Sequence, residues 1–379
     1  MRARPADDRG TLRPLIASAC GMSSCVPWRK SRGLRVAILG AGLMGYWHGR
    51  TAGHLGAKLV AIVDPDMARA NALARRLRVG RTAEDASDLL RGGQLDAVHI
   101  CSPRPTHFDL ARCAVESGVH TLVEKPLSDS AEEAEMLVNI ARRRAVVLCP
   151  VHQIAFQNGV EDTAQVLPGL GRLSAIEIRI CSAGGVGRTE RELNEIVGDI
   201  LPHPLSILRR LWPNSVFEPK NWHTRRLGLG EFSVAGLHAE ANFSMLISLH
   251  ARPTRFEMMV SGNRGSLQLD FFHGFAVRHD GRVSRLRKAS RPFVAALSLF
   301  GAATVNLFER GLAGELAYPG LRQLTKRFYA AVRGEMPPPI SAADIIAVAA
   351  ARDALLIRGN PRVQAFHGKA FLAEQASPQ

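Results

Sequence analysis

Leu34-Arg35-Val36-Ala37-Ile38-Leu39-Gly40-Ala41-Gly42-Leu43-Met44-Gly45 decides the fold. A short apolar run of strand length enters three glycines spaced Gly-x-Gly-x-x-Gly, and a stretch of helical periodicity follows. With 34 glycines in 379 residues, chance alone supplies about 0.3 such matches, so the spacing means little by itself. Its surroundings give it meaning. A second apolar run, Lys58–Val63, follows the helical stretch, and Asp64 closes it 19 residues after Gly45. In a strand-turn-helix of this kind Gly40 allows the tight turn, Gly42 lets the backbone approach a pyrophosphate, and Gly45 permits close helix-sheet packing. Leu43 and Met44 then offer the free N–H groups of a helix N-terminus to phosphate. Asp64 accepts from both ribose hydroxyls. Its carboxylate repels a 2′-phosphate and no arginine directly follows it, which predicts NAD, with NADP the weaker candidate.

Outward from this unit, Asp96–Cys101, Val119–Val123 and Val146–Cys149 repeat the apolar, β-branched pattern with amphipathic stretches between them. That alternation predicts an α/β class with a doubly wound parallel sheet over 34–150 and a second α/β domain over 151–379. Ser130 with Glu133 three residues on predicts a capping box at a helix start. The loop Cys101-Ser102-Pro103-Arg104-Pro105-Thr106-His107 ends one strand and Glu124-Lys125-Pro126 the next. Both loops lie at carboxyl ends of strands, where open α/β sheets bind ligands. Ser102, Pro103, His107 and Glu124 are therefore candidates to border the cofactor, although a histidine placed like His107 is more often a surface or helix-start residue. Only seven of the 49 basic residues are lysine, which singles out Lys125. Arginine does not give up a proton, whereas a desolvated lysine beside a cationic ring does. The alternative is a strand-end lysine reaching for solvent.

Composition excludes other classes. The chain is 46% hydrophobic and 22% charged, which is ordinary for a globular protein. The six cysteines form no Cys-x-x-Cys pair, so reduced thiols, no metal site and a cytoplasmic setting are expected. Of the net charge of +15, much sits in two segments: residues 1–33, with seven bases against Asp7 and Asp8, and residues 282–291, with five bases and no acid. Residues 1–33 lack periodicity and predict a disordered basic tail. Aromatics are 6% of the chain and are not interleaved with bases along a face, which argues against nucleic acid. Residues 282–319 are the least expected stretch. The uncharged run Pro292–Phe308 that follows the bases suits a cover for an open sheet, a contact between copies, or a membrane surface met through 284–308. A buried helix is the commoner outcome in soluble folds.

These segments together resemble the glucose-fructose oxidoreductase / inositol dehydrogenase (Gfo/Idh/MocA) family. The resemblance rests on GAGLMG with Asp64, on SPRPTH, and on VEKPLSDSAEEAE. It extends more faintly through GNRGSLQL (262–269) and the stretch Phe328–Leu355. It implies a Rossmann domain followed by an α/β domain with an open, mostly antiparallel sheet that often serves homo-oligomerisation. It also implies hydride transfer between NAD(P) and a carbinol carbon of a sugar, nucleotide sugar or cyclitol. Two other outcomes go with it: a glycoside-cleaving enzyme that recycles its own NAD, and a non-catalytic member that only binds dinucleotide.

The family places an Asp and a His four residues apart opposite the nicotinamide, and Asp199-Ile200-Leu201-Pro202-His203 fits that spacing. The implied roles are Lys125 polarising the reacting hydroxyl, His203 taking its proton, and Asp199 orienting His203 or substrate. Gln153, beside His152 after the last strand, joins Lys125 and His203 as a substrate contact, or forms with His152 a buried hydrogen-bonded pair. Pro202 and Pro204 flank His203 and disfavour helical geometry before them, so Asp199 and His203 are not expected to share one helix face. A new helix over Pro204–Leu211 with His203 at its N-terminus is the alternative.

Overall fold

The computed structural model describes residues 33–358 apart from Leu316, so the basic tail expected for 1–33 lies, but for Gly33, outside the described residues. Both sheets below belong to the compact unit that begins at Gly33. The first half alternates β1 (Arg35–Leu39), α1 (Leu43–His54), β2 (Lys58–Val63), α2 (Met67–Leu77), β3 (Thr82–Ala83), α3 (Ser87–Arg91) and β4 (Ala97–Ile100). It continues with α4 (His107–Glu116), β5 (His120–Val123), α5 (Ala131–Arg144) and β6 (Leu148–Pro150). The six strands pair in the order β3-β2-β1-β4-β5-β6, every pair parallel. The order reverses between β1 and β4, and crevices for ligands open at such reversals. Val36, Ile38, Ile62, Val98 and Ile100 are fully buried because helices cover both faces, which is why these strands read as mostly apolar runs.

Small residues bring α1 onto the sheet. A Cβ on Gly45 would run into the Gly40 carbonyl, so only hydrogen fits there, and one on Gly49 would push aside the end of the Leu77 side chain. Asp66 starts α2 by accepting from the Ala68 and Arg69 N–H groups. The capping box expected at Ser130 forms only in half. Ser130 accepts from the Glu133 N–H at 3.2 Å, while the Glu133 carboxylate turns to the N–H of Asp129 at 2.9 Å. A reciprocal box closes instead at Thr189 and Glu192.

The second half adds α6 (Asn158–Val166), β7 (Leu173–Cys181), α7 (Glu190–Ile200), α8 (Pro202–Leu211), β8 (His223–Gly228), β9 (Glu231–His238), β10 (Ala241–Ser248), β11 (Arg255–Gly262), β12 (Gly265–Asp270) and β13 (Phe275–Asp280). Its seven strands run β13-β12-β11-β7-β10-β9-β8, and every pair is antiparallel except β7 with β10. Alternation along β7 buries Ile176, Ile178 and Ile180 while Glu177 and Arg179 face outward, and Arg179 pairs across strands with Glu257 at 3.6 Å. One face is thus core and the other open.

Three helices complete the chain: α9 (Arg285–Leu312), α10 (Leu321–Val332) and α11 (Ala342–Arg358). α11 returns to the first sheet, where the buried Arg352 guanidinium donates to the carbonyls of Ser128 at 2.7 Å and Asp129 at 2.5 Å. Asp353 accepts from the Ala131 N–H at 2.7 Å, so the C-terminal helix clamps the loop that follows Lys125. The commoner expectation for Pro292–Phe308, a buried helix, is corrected: α9 touches β13 but leaves Phe293, Leu297, Phe300, Leu307 and Phe308 exposed.

Candidate active site

The glycine turn has the shape a dinucleotide requires. Gly40 sits at φ +105°, in the left-handed region, and a Cβ there would lie 2.6 Å from the backbone of Cys101 and Ser102. The end of β4, with Ser102 and Pro103, therefore packs directly against the turn. Gly42 has the opposite surroundings: a Cβ there meets nothing within 4 Å. It is the N-cap of α1 and no side chain caps the helix, so the first-turn N–H groups at Leu43, Met44 and Gly45 have no side-chain partner. The Leu43 side chain is 65% exposed. Asp64, at the end of β2, accepts from the Ala41 N–H at 2.7 Å and the Asp66 N–H at 2.9 Å. Its carboxylate is thereby fixed beside the turn with lone pairs to spare for hydroxyl donors. An uncapped helix start, an empty approach over Gly42 and an anchored carboxylate fit a pyrophosphate and its ribose.

His107 is placed differently from a cofactor contact. The ring is buried, with Nδ1 2.7 Å from the Pro126 carbonyl and Nε2 2.8 Å from the Ser102 carbonyl. It ties the loop after β4 to the loop after β5, acting on the cofactor site through both. Ser102 Oγ lies 2.6 Å from Thr106 Oγ1, which tightens the same turn.

Lys125 begins the loop after β5 and is half-buried, its peptide to Pro126 cis. Its Nζ donates to the backbone carbonyl of Asp199 at 3.2 Å, so the lysine neither snorkels to solvent nor pairs with a carboxylate. The assignment of Asp199 as the orienter of His203 is corrected by the same region. The Asp199 carboxylate accepts from Arg104 at 3.2 Å, and Arg104 also holds Asp129 at 2.6 Å. Arg104 stands between two carboxylates that raise its pKa against the opposing effect of burial. Asp199 thus holds Lys125 through its carbonyl and is itself held by Arg104.

As the prolines imply, Asp199 and His203 stand on two different helices, with His203 at the N-terminal end of the second. Two details are corrected: Leu201 has φ −51° and ψ −39°, helical although it precedes Pro202, and α8 begins at Pro202, two residues earlier than the Pro204 start. Pro202 and Pro204 fall at the first and third positions of α8, where a backbone N–H has no partner inside the helix, so the ring nitrogens cost no hydrogen bond. Asp199 ends one helix and His203 stands in the first turn of the next.

Three buried polar atoms of this region lack a hydrogen-bond partner: His152 Nδ1 and His203 Nδ1, whose rings feel the Lys125 charge, and Gln153 Oε1, next to His152 in sequence. Burial holds the His203 imidazole well below its ordinary pKa of 6.5, with the Lys125 charge and then His152 adding to the shift. Burial likewise takes His152 down to about 4; Glu124 opposes the shift and Lys125 adds to it. Both rings are therefore neutral near pH 7, each with a nitrogen able to accept a proton.

Behind Lys125 lies a chain of buried polar groups that no sequence motif marks. Tyr329 Oη is 3.0 Å from His99 Nε2, His99 Nδ1 is 3.0 Å from His48 Nδ1, and His48 Nε2 is 3.0 Å from Glu124 Oε1. One arrangement satisfies every atom: Tyr329 donates to His99, His99 to His48, and His48 to the carboxylate, with both imidazoles neutral. Burial lowers the His99 pKa well below 6.5, which keeps that ring neutral, and burial raises that of the Tyr329 phenol, which keeps it protonated. Glu124 Oε2 accepts the Lys125 N–H at 3.2 Å, so the chain ends on the backbone of the lysine. Cys101 and Cys149 are buried nearby, their thiols pushed up by desolvation, and behave as small hydrophobes. Among the described residues no cluster of three His, Cys, Asp or Glu could hold a metal ion.

Comparison with known proteins bears on the first half in sequence and on nearly all of the described chain in fold. Residues 34–152 match the family model GFO_IDH_MocA, described as an oxidoreductase family with an NAD-binding Rossmann fold. The chain is 37% identical over 116 residues to scyllo-inositol 2-dehydrogenase (NAD(+)) of Bacillus subtilis (strain 168), 30% of this chain and 34% of that protein. It is 34% identical over 119 residues to UDP-N-acetylglucosamine 3-dehydrogenase of Acidithiobacillus ferrooxidans, 31% of this chain and 37% of that protein. The match thus spans about a third of the length of these curated relatives. Among solved structures, the Acidithiobacillus ferrooxidans UDP-N-acetylglucosamine 3-dehydrogenase GnnA superposes with a TM-score of 0.67 at 20% identity, over 86% of this chain and 98% of that one. A levoglucosan dehydrogenase, solved with NADH and levoglucosan, gives a TM-score of 0.67 at 19% identity over 86% and 97%. These likenesses show the fold.

Proposed function

We propose that the chain, whose residues 34–152 match the Gfo/Idh/MocA family model, is an oxidoreductase of that family that oxidises or reduces a CH–OH carbon of a sugar, cyclitol or nucleotide sugar with NAD(H). The observation that carries the reading is the pair of unpartnered buried ring nitrogens on His152 and His203 beside Lys125, with Gln153 Oε1 likewise unpartnered. Buried polar atoms without partners are costly, about 1–3 kcal/mol each, and a polyhydroxylated ligand supplies the missing donors.

When bound, NAD takes up the hydride; the residues of the chain must manage the proton. Gly40, Gly42, Leu43, Met44, Gly45 and Asp64 would hold the dinucleotide. Lys125 keeps two N–H donors beyond the one given to Asp199, and they hold and polarise the reacting oxygen. His203 is neutral and takes the hydroxyl proton, which must leave as the carbon gives up hydride. Asp199 and Arg104 position Lys125 from one side and Glu124 does so from the other. Asp64 favours NAD over NADP because a carboxylate beside the ribose repels a phosphate.

The test follows NADH formation at 340 nm from inositols, aldoses, anhydrosugars and UDP-sugars. At least one class gives NADH with the wild-type protein, and Lys125→Met lowers that rate by more than 100-fold while NAD still binds. NAD binding without NADH from any class, in either direction, contradicts the proposal.

A further inference from the structure

The helix α9 carries its amphipathicity inside out. Toward the protein it turns small and polar side chains: Ala295, Ser298 and Ala302 are partly covered, and Asn306, the buried one, donates to the His273 carbonyl at 3.0 Å. Arg310 pins the same end by donating to His273 O at 2.8 Å. On the opposite side Phe293, Leu297, Phe300 and Phe308 recur at helical spacing and are 79%, 73%, 70% and 69% exposed. No charged residue interrupts Pro292–Phe308. At the N-terminal end stand Arg282, Arg285, Arg287, Lys288 and Arg291. Arg282 and Arg287 share Asp280, while Arg285, Lys288 and Arg291 make no ion pair among the described residues.

We propose that α9 lies in the plane of an anionic lipid surface, its aromatic and leucine face in the acyl boundary and its basic end against the headgroups. Charge decides between the available occupants. The only acid within Arg285–Leu312 is Glu309, so a second copy packed helix to helix brings one carboxylate against five bases. The parts of this chain outside the described residues carry Asp7, Asp8 and Glu374 against more numerous bases, and offer no better match. Anionic headgroups satisfy the cluster, and an exposed face of Phe and Leu is what an interfacial helix buries. Spanning is a poorer fit. The uncharged run is about 25 Å long as a helix, short of a hydrocarbon core of ~30 Å, and the C-terminal end is bonded to the body of the protein. This inference is independent of the chemistry proposed at Lys125.

Flotation of the full chain with phosphatidylcholine vesicles containing about 30% phosphatidylserine, and with phosphatidylcholine alone, tests it. The wild-type protein floats with the anionic vesicles, stays at the bottom with the neutral ones, and is released by salt. Each basic residue near such a surface strengthens binding about fivefold, so Arg285→Gln/Lys288→Gln/Arg291→Gln weakens it on the order of 100-fold. Phe293→Ser/Leu297→Ser/Phe300→Ser abolishes flotation. All six side chains are exposed, and unchanged melting with unchanged NAD binding shows that both variants fold. Equal flotation with neutral vesicles overturns the charge argument. No flotation overturns the proposal, and a dimer in sedimentation that the serine variant splits identifies a second copy as the occupant.

Discussion

Two glycines separated by three positions should respond in opposite ways to the same methyl group. Gly42 lies at φ −80° and ψ −167°, which any residue adopts, and an added Cβ meets nothing within 4 Å. Gly42→Ala therefore costs only the poorer cap, about 0.5–1 kcal/mol. With about 2.1 cal/mol/K of unfolding entropy per residue, a chain of 379 residues changes its Tm by about 1 °C for each 0.8 kcal/mol, so Gly42→Ala melts within about 1 °C of wild type. The methyl group stands where the pyrophosphate must come closest, and overfilling of that kind costs about 1–3 kcal/mol, or about 5- to 150-fold in NADH affinity. At Gly45 the added Cβ runs into the Gly40 carbonyl, and Gly40 is fixed by its own N–H to Val63 O at 2.8 Å. Gly45→Ala must push α1 off the sheet, so it loses stability in the unliganded protein as well as affinity. Energy transfer to NADH from the tryptophans, of which Trp47 lies on α1, reads binding, and thermal unfolding reads stability. The reasoning is refuted if Gly42→Ala binds NADH as tightly as wild type, or if the two variants lose equal stability.

Three further outcomes follow from the site. Asp64→Asn keeps one acceptor for the Ala41 or Asp66 N–H and removes the charge, so the ratio of NAD to NADP affinity falls by about tenfold or more in parallel titrations; an unchanged ratio contradicts the role of Asp64. Tyr329→Phe leaves His99 Nε2 buried without a donor at a cost of about 1–3 kcal/mol, seen as a Tm lower by about 1–4 °C; an unchanged Tm would mean the chain to Glu124 is not bonded as described. Acid destabilises the fold through its buried histidines. His152 titrates near 4 when folded against 6.5 when unfolded, so below 6.5 the unfolded chain binds the extra proton and stability falls with pH toward 4. Its share approaches about 3 kcal/mol, and urea unfolding whose midpoint stays level from pH 7 to pH 4.5 would exclude it.

The legible parts of the molecule are those whose signals are local. Strands buried on both faces are mostly apolar, so β1, β2, β4, β5 and β6 stand out even with His99 inside β4, whereas β3 is two residues long and carries no pattern. The glycine turn and Asp64 are legible because backbone geometry restricts residue type there. Long-range pairing is not legible. Spacing joined Asp199 to His203, but Arg104, 95 residues earlier, claims the Asp199 carboxylate. The chain from Tyr329 to Glu124 links residues 230, 51 and 76 positions apart, and each looks like an ordinary core residue by itself. The prolines around His203 do mark a helix boundary, but its exact place, Pro202 and not Pro204, depends on position within the helix, which the sequence does not mark. For α9 the apolar count was plain, but composition does not say whether the protein covers the face it creates.

The dinucleotide site is the foundation of the account, and the melting temperature of the full chain with NAD and with NADP tests it most directly. At about a hundred times its dissociation constant a ligand adds about 2.7 kcal/mol to the folded state, or about 3 °C for a chain of this length. The account predicts that rise with NAD at a concentration where NADP gives less than half of it. No rise with either nucleotide, at concentrations up to several millimolar, would contradict the assignment of the glycine turn and Asp64, and with it the chemistry placed at Lys125.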